Sequence, residues 1–364
     1  VSSPDPLLKS SVRGRVLTLI SCVSMAALVL TASVSGCSAD SSSSGPAGSE
    51  VSTDVADATA PACSREMSGT QTVDVAFAGQ TYPVRIHVPE GADPAVRLPL
   101  VLDLHGSNSN GVSQAKISGL DAVADAAEEG FIVAEPTAAI ALEADDPLPD
   151  GNWAWNVPGV PTTAGEYPPD DARDDIAFLA TVIDSLSEQA CVDTGRVYAT
   201  GYSGGGRMAS ALACERPDLI AAIAPVAGLR AGRAADDAAT IDPSTCTPAQ
   251  PVSVLTFHGT DDVVNPYDGN DDARWGYGVK AAVSTWAQLD GCTAEPATEQ
   301  VSDHVSVTRY DSCEGGAAVE LYTVDAGGHT WPGTSVDLSA LGTITQEINA
   351  SQLMWEFFAA HPGQ

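Results

Sequence analysis

The sequence predicts an α/β fold in which a mostly parallel central sheet is flanked by helices. Three observations carry that expectation. Nearly continuous apolar runs such as LPLVLDLHG (98 to 106) and PVSVLTFHG (251 to 259) read as strands buried on both faces. Segments with helical apolar spacing, DDIAFLATVIDSLSEQA (174 to 190) foremost, separate such runs. No internal repeat or second linker interrupts this alternation, so residues 62 to 364 are expected to form one domain.

Taken in order, TVDVAF and YPVRIHV read as an antiparallel opening pair joined at Ala78-Gly79-Gln80. LPLVLDLHG, FIVAEP, RVYATGYS, IAAIAPVAG, PVSVLTFHG and VELYTVDAG supply the later strands. LDAVADAAEEG, DDIAFLATVIDSLSEQA, GGRMASALACERP and ITQEINASQLMWEFFAAH supply helices.

The first 36 residues are expected to be removed. Lys9, Arg13 and Arg15 precede the apolar run VLTLISCVSMAALVL, as in an export signal. Val34-Ser35-Gly36-Cys37 resembles a lipobox, so Cys37 is expected to be lipidated and to hold the protein on the outer face of a bacterial membrane. Residues 37 to 61 are Ser-rich and lack aromatics, which suits a disordered tether. Six cysteines remain beyond Cys22 and Cys37, and an even number in an exported chain implies disulfides. Local spacing suggests Cys292 with Cys313 and Cys214 with Cys246, leaving Cys63 with Cys191.

With 48 acidic against 16 basic residues, a net charge of -32, the chain is a poor candidate for nucleic acid, whose phosphates need Lys and Arg. No metal-ligand spacing appears, so neither metal nor cofactor is expected. A monomer whose only membrane contact is its lipid anchor is the expected state.

The chemistry is concentrated in GYSGGGRMAS (201 to 210). A phosphate-binding loop would need Gly-Lys-Ser/Thr, but Arg207 and Met208 follow Gly206. The remaining pattern is G-x-S-x-G around Ser203, placed between an expected strand and an expected helix, which is the setting of a nucleophile elbow. A serine hydroxyl needs a base and a carboxylate that orients the base. His87 falls in a strand, His304 in an acidic segment and His361 near the C-terminus, while His105 and His258 precede glycine at strand ends, where structural roles are expected. His329, in the Gly-rich loop GGHTWPG after the last strand, is the candidate base. Asp261 and Asp262 are both candidate acids, and spacing does not choose between them. The amides of Gly204 and Ser107 are the candidate oxyanion donors.

Together LDLHG, DDIAFLATVI, RVYATGYSGGGRMASALACERPDLIAAIAPVAG, FHGTDDVVNPY, WAQLDGC and GGHTWPG resemble the esterase/polyhydroxybutyrate depolymerase family, which includes feruloyl and acetylxylan esterases. The resemblance runs from about residue 70 to the end. It implies an α/β-hydrolase fold, a serine esterase activity on carboxylic esters, and a catalytic acid at Asp262 beside Ser203 and His329. Ser107 stands where members often carry other small residues, and residues 139 to 170 match poorly.

Trp286 and Trp355 fit helical core positions. Trp153 and Trp155, in the connection DGNWAWNVPG, leave two readings open, packing or a lid over the strand ends, and the second, a flat apolar surface for an acyl or sugar group, carries the substrate expectation. Trp331 is expected to border that site mainly by packing the loop that carries His329. Soluble feruloyl or acetyl esters are therefore expected ahead of polyester, with a peptidase or a non-catalytic surface-binding lipoprotein as rivals.

Overall fold

The computed structural model describes residues 63 to 142 and 150 to 363. The export segment, Cys37 and the Ser-rich tether lie outside the described residues.

Two strands, β1 (Gly69–Phe77) and β2 (Gln80–Val88), form a hairpin closed by Ala78 and Gly79. Both turn residues have positive φ, 48° and 80°, as a two-residue turn matched to strand twist requires. There follow β3 (Leu98–Leu104), α1 (Gly111–Ser118), α2 (Leu120–Ala126) and β4 (Ile132–Glu135). A small ribbon, β5 (Ile140–Ala141) with β6 (Trp153–Ala154), precedes α3 (Asp175–Gln189). The chain continues through β7 (Val192–Tyr202), α4 (Gly204–Glu215), β8 (Ala222–Val226) and β9 (Ser253–Gly259). It ends with α5 (Val279–Leu289), β10 (Ala297–Gln300), β11 (Val305–Tyr310), β12 (Val319–Val324) and α6 (Ala350–Ala360).

The main sheet has the order β1-β2-β4-β3-β7-β8-β9-β12-β11-β10. From β4 to β12 all neighbours run parallel, while β1–β2 and β10–β11 attach as antiparallel margins. Parallel strands must be covered on both faces, and the sequence meets that demand by alternation. Leu100, Leu102 and Leu104 of β3 join the core beneath α3, α4 and α5, with Phe178, Leu212 and Trp286. Val101 points to the opposite core, with Trp355 and Phe358 of α6. Trp286 and Trp355 are buried, as helical core positions should be.

The final helix is shorter than the sequence suggests. Thr343 and Thr345 accept amide bonds from Gly328 and Gly333, which holds that stretch as a loop against the His329 segment. Asn349 then starts α6 as its cap, accepting from the Gln352 amide. Three disulfides, Cys63–Cys191, Cys214–Cys246 and Cys292–Cys313, close the domain.

Candidate active site

Only Ser203 separates β7 from α4, and its backbone sits at φ 55°, ψ -110°. An L-residue pays on the order of 1–3 kcal/mol for such a conformation, so the surroundings must impose it. The Ser203 amide donates to the Val226 carbonyl at 2.9 Å, and its own carbonyl accepts from Arg207 at 3.0 Å. The turn also crosses β3 closely: a Cβ on Gly205 would lie 1.9 Å from the Leu104 carbonyl oxygen, and one on Gly201 2.6 Å from it. Glycine at both places is thus a packing requirement of the elbow.

Beyond β8, the ends of the parallel strands β9 and β12 deliver a carboxylate and an imidazole. After β9, Asp262 turns inward and is buried; after β12, so is His329. His329 Nδ1 lies 2.7 Å from Asp262 Oδ2. The other carboxylate oxygen accepts from the amides of Val264 and Asn265, both at 2.8 Å. His258 brings its Nε2 within 3.3 Å of Oδ2 and 2.8 Å of the Asn265 carbonyl. Burial would raise the Asp262 pKa, but the bonds from His258 and His329 outweigh it and hold the carboxyl well below the usual range. Burial pushes the His329 imidazole below its ordinary value, against the pull of Asp262. The imidazole is consequently neutral near pH 7, with Nδ1 donating to Asp262 and Nε2 free to accept a proton. Asp261 is exposed, and its backbone amide bonds to Gly327 at 2.9 Å. The turn has pointed the two adjacent aspartates in different directions, and only Asp262 meets His329.

Tyr202 links this pair to the elbow. Its phenol donates to the His329 carbonyl, and the two rings are 5.1 Å apart. On the other side of Ser203, Gly204 opens α4, so its amide has no partner within the helix. A Cβ on Gly204 would lie 3.0 Å from the Ser107 backbone nitrogen, which places the two candidate oxyanion residues face to face.

The loop that carries Ser107 is fastened from beneath. His105 Nε2 accepts from the Ala138 amide at 3.0 Å, so Nδ1 bears the proton and donates to Gly106 at 2.7 Å. Burial pushes its pKa down to about 4. Trp155 donates its indole N–H to the His105 carbonyl at 2.8 Å, and Trp153 exchanges backbone bonds with Asn108 and Ser109 at 3.0 Å. These contacts correct the expectation of an aromatic surface open to substrate: Trp153 and Trp155 are only 7% and 3% exposed. Their rings pack into the core because the loop needs an apolar floor and a donor for its carbonyl. Trp331 is also buried, bonded to Ser351 at 3.1 Å and edge-on to Tyr202, so it packs the base loop and offers substrate no face.

The other histidines make local contacts: His87 with Thr70 and Asp125, His304 with Glu347, and His361 with the Phe357 carbonyl. Tyr202, His258 and Asn265 acquire their supporting positions only in three dimensions.

The family model described as "Esterase PHB depolymerase" matches residues 82–307. Over 280 residues the chain is 32% identical to "Putative esterase NocK" of Nocardia uniformis subsp. tsuyamanensis, covering 71% of this chain and 73% of that protein. It is 35% identical over 182 residues to "Feruloyl esterase B" of Piromyces equi, covering 48% of this chain and 31% of the length of that relative. The solved acetyl xylan esterase of Aspergillus awamori superposes with a TM-score of 0.54 at 18% identity, covering 80% of this chain and 99% of that one, a likeness of fold. With the matched region spanning the strands that carry Ser203 and Asp262, the chain belongs to the esterase PHB depolymerase family of carboxylic ester hydrolases, built on the α/β-hydrolase fold.

Proposed function

We propose that this chain is an exported serine esterase that cleaves carboxylic esters through an acyl-enzyme. Ser203 Oγ attacks the ester carbonyl as His329 Nε2 takes its proton, and Asp262 holds the imidazole in the required tautomer. The amides of Gly204 and Ser107 stabilise the oxyanion. His329 returns the proton to the leaving alcohol; water, activated by the same imidazole, then releases the acid. One observation carries this reading: a serine on a strained elbow shares its strand-end face with a buried His–Asp pair joined at 2.7 Å.

Feruloyl and acetyl esters of plant polysaccharide, or short relatives of them, are the favoured substrates, in keeping with the feruloyl esterase among the relatives. Export fits the three disulfides, which persist in oxidising compartments, and Cys37 would supply the lipid anchor.

The test is active-site labelling with a fluorophosphonate, followed by turnover of p-nitrophenyl acetate, methyl ferulate and a polyhydroxybutyrate film. Label should fall on Ser203, and Ser203→Ala should lose on the order of 10⁴-fold in kcat. Label on another residue would overturn the assignment. Clearing of the film without release of ferulate would move the substrate to polyester.

A further inference from the structure

The chain carries 16 basic residues against 48 acidic ones, yet three arginines line one cleft. It is a narrow cleft between α4 and the loops that hold Val157 and Gly232. Arg207 and Arg230 are its buried walls, 6% and 7% exposed, and Arg233 lies at its rim.

Neither buried guanidinium is held by a carboxylate among the described residues. Arg207 donates one N–H to the Arg274 carbonyl at 2.8 Å, and its buried Nε has no partner. Arg230 donates to the Tyr277 carbonyl at 2.9 Å and stacks on the Tyr277 ring, 3.4 Å from its centroid, with Trp275 at 4.5 Å. The nearby Asp272 is occupied by Arg274. Arg65, also buried, has both terminal nitrogens engaged, by the Val96 and Asp93 carbonyls at 3.0 and 2.9 Å, and two half-buried arginines are met by carboxylates. Arg173 pairs with Asp175 at 2.6 Å, and Arg85 reaches Glu135 at 2.7 Å. Burying a cation without an anion is costly, and two side by side repel as well. In a chain so rich in Asp and Glu, a buried wall that holds two arginines and no bonded carboxylate is suited to an anion that arrives from outside.

The cleft is also built on the helix that Gly204 opens. Gly204, Arg207, Ala211 and Cys214 succeed one another along one face of α4, and the last three line the cleft. Gly204 faces Ser107, and Arg207 stands about one helical turn, roughly 5 Å, further along. The positive charge of Arg207 is felt at His329, where it is among the influences that lower the imidazole pKa.

We propose that this cleft is an anion subsite that receives a carboxylate carried by the ester substrate. Planar guanidinium groups match the two oxygens of a carboxylate, and aromatic stacking fixes Arg230 in advance of binding. Glu215 at the far end of the cleft limits the anionic group to the Arg207 end. The carboxylate can be borne on the acyl side, as in a half-ester of a dicarboxylic acid, or on the alcohol side, as in an acidic sugar. The proposal rests on the esterase reading for its substrate, but the subsite can be measured without turnover.

Two matched pairs test it at low ionic strength. The acyl-side pair is p-nitrophenyl hydrogen glutarate and p-nitrophenyl pentanoate; the alcohol-side pair is the acetylated methyl glycosides of glucuronic acid and glucose. We expect the charged member of one pair to be preferred in kcat/KM on the order of tenfold or more. The pair that shows the preference identifies the side. Arg207→Met and Arg230→Met should each reduce the charged-to-neutral ratio toward one, whereas a merely structural loss would depress both members alike. Calorimetry on Ser203→Ala with glutarate and glucuronate reads the same subsite without catalysis, so it still decides the matter if no ester is cleaved. Equal turnover within both pairs, or no binding of either anion at millimolar concentration, would overturn the proposal while leaving the esterase reading to its own test.

Discussion

Replacing Asp262 by asparagine should disable catalysis while leaving the fold in place, and the hydrogen bonds around the side chain show why. Oδ1 accepts from two backbone amides, Val264 and Asn265. Only an oxygen can satisfy both donors, so an asparagine must keep its carbonyl there. Its NH2 is then turned toward His329 Nδ1, where Oδ2 now lies at 2.7 Å. A donor at that point forces Nδ1 to accept and moves the ring proton to Nε2, the atom that must take the serine proton. The wrong tautomer, together with loss of the charge that stabilises the imidazolium, should lower kcat by on the order of 10³–10⁴, or about 4–5.5 kcal/mol in the barrier. Loss of the charged acceptor should cost about 1.5–3 kcal/mol of stability, which a thermal melt will separate from the kinetic effect. Asp261→Asn, on the exposed neighbour, should stay within about twofold. The assay is p-nitrophenyl acetate turnover with both variants matched for folded protein by circular dichroism. Equal losses at the two positions, or an Asp262→Asn loss below about tenfold, would refute the reasoning.

Two further outcomes follow from buried contacts. Trp155→Phe keeps an aromatic ring but removes the donor to the His105 carbonyl; the Ser107 loop should loosen, and kcat for a small acetate ester should fall about ten- to a hundredfold with little change in KM. A rise in KM alone would instead make Trp155 a substrate contact. Asp290 accepts from the Val252 amide with one oxygen and leaves the other unpartnered, and burial pushes its pKa up to about 7 against that bond. Its folded-state pKa is raised, so its contribution is full at low pH and is lost as pH rises from the ordinary carboxylate range through about 7, by about 1.4 kcal/mol per unit. Melting curves of Asp290→Asn should therefore gain on the wild type between pH 4 and pH 8; a constant difference would refute this sign.

The parallel strands were legible because each is an apolar run too short for a helix and ends at a glycine or a turn. The margin at β10 was not: Ala297–Gln300 is exposed throughout and carries no apolar face. The helix α1, GVSQAKIS, likewise shows almost no amphipathic pattern. In the site, Ser203 stands out in sequence because its G-x-S-x-G pattern falls between an expected strand and an expected helix, and His329 because its loop follows the last strand. The adjacent aspartates could be separated only through family resemblance, since the direction of each side chain depends on the fold of the turn. The tryptophans misled because a long connection rich in indole rings reads as a lid, whereas the acceptor that buries Trp155, the His105 carbonyl, is 50 residues away in sequence. Arg207 did leave a sign, since it interrupts a run of small and apolar residues on a helix that is buried almost all round.

The order of the sheet also sets how the enzyme would come apart. Among the described residues, four strands, β1, β2, β4 and β3, lie between one edge and the serine strand β7, but only β10 and β11 shield β12, which leads to His329. Unravelling from that nearer hem would reach His329 before Ser203. Cys292 and Cys313 bracket this hem on either side of the β10–β11 hairpin, and their bond stitches its two ends together. Reduction would leave the Ser203 elbow seated while exposing the His329 loop to fraying, and reoxidation would refasten it.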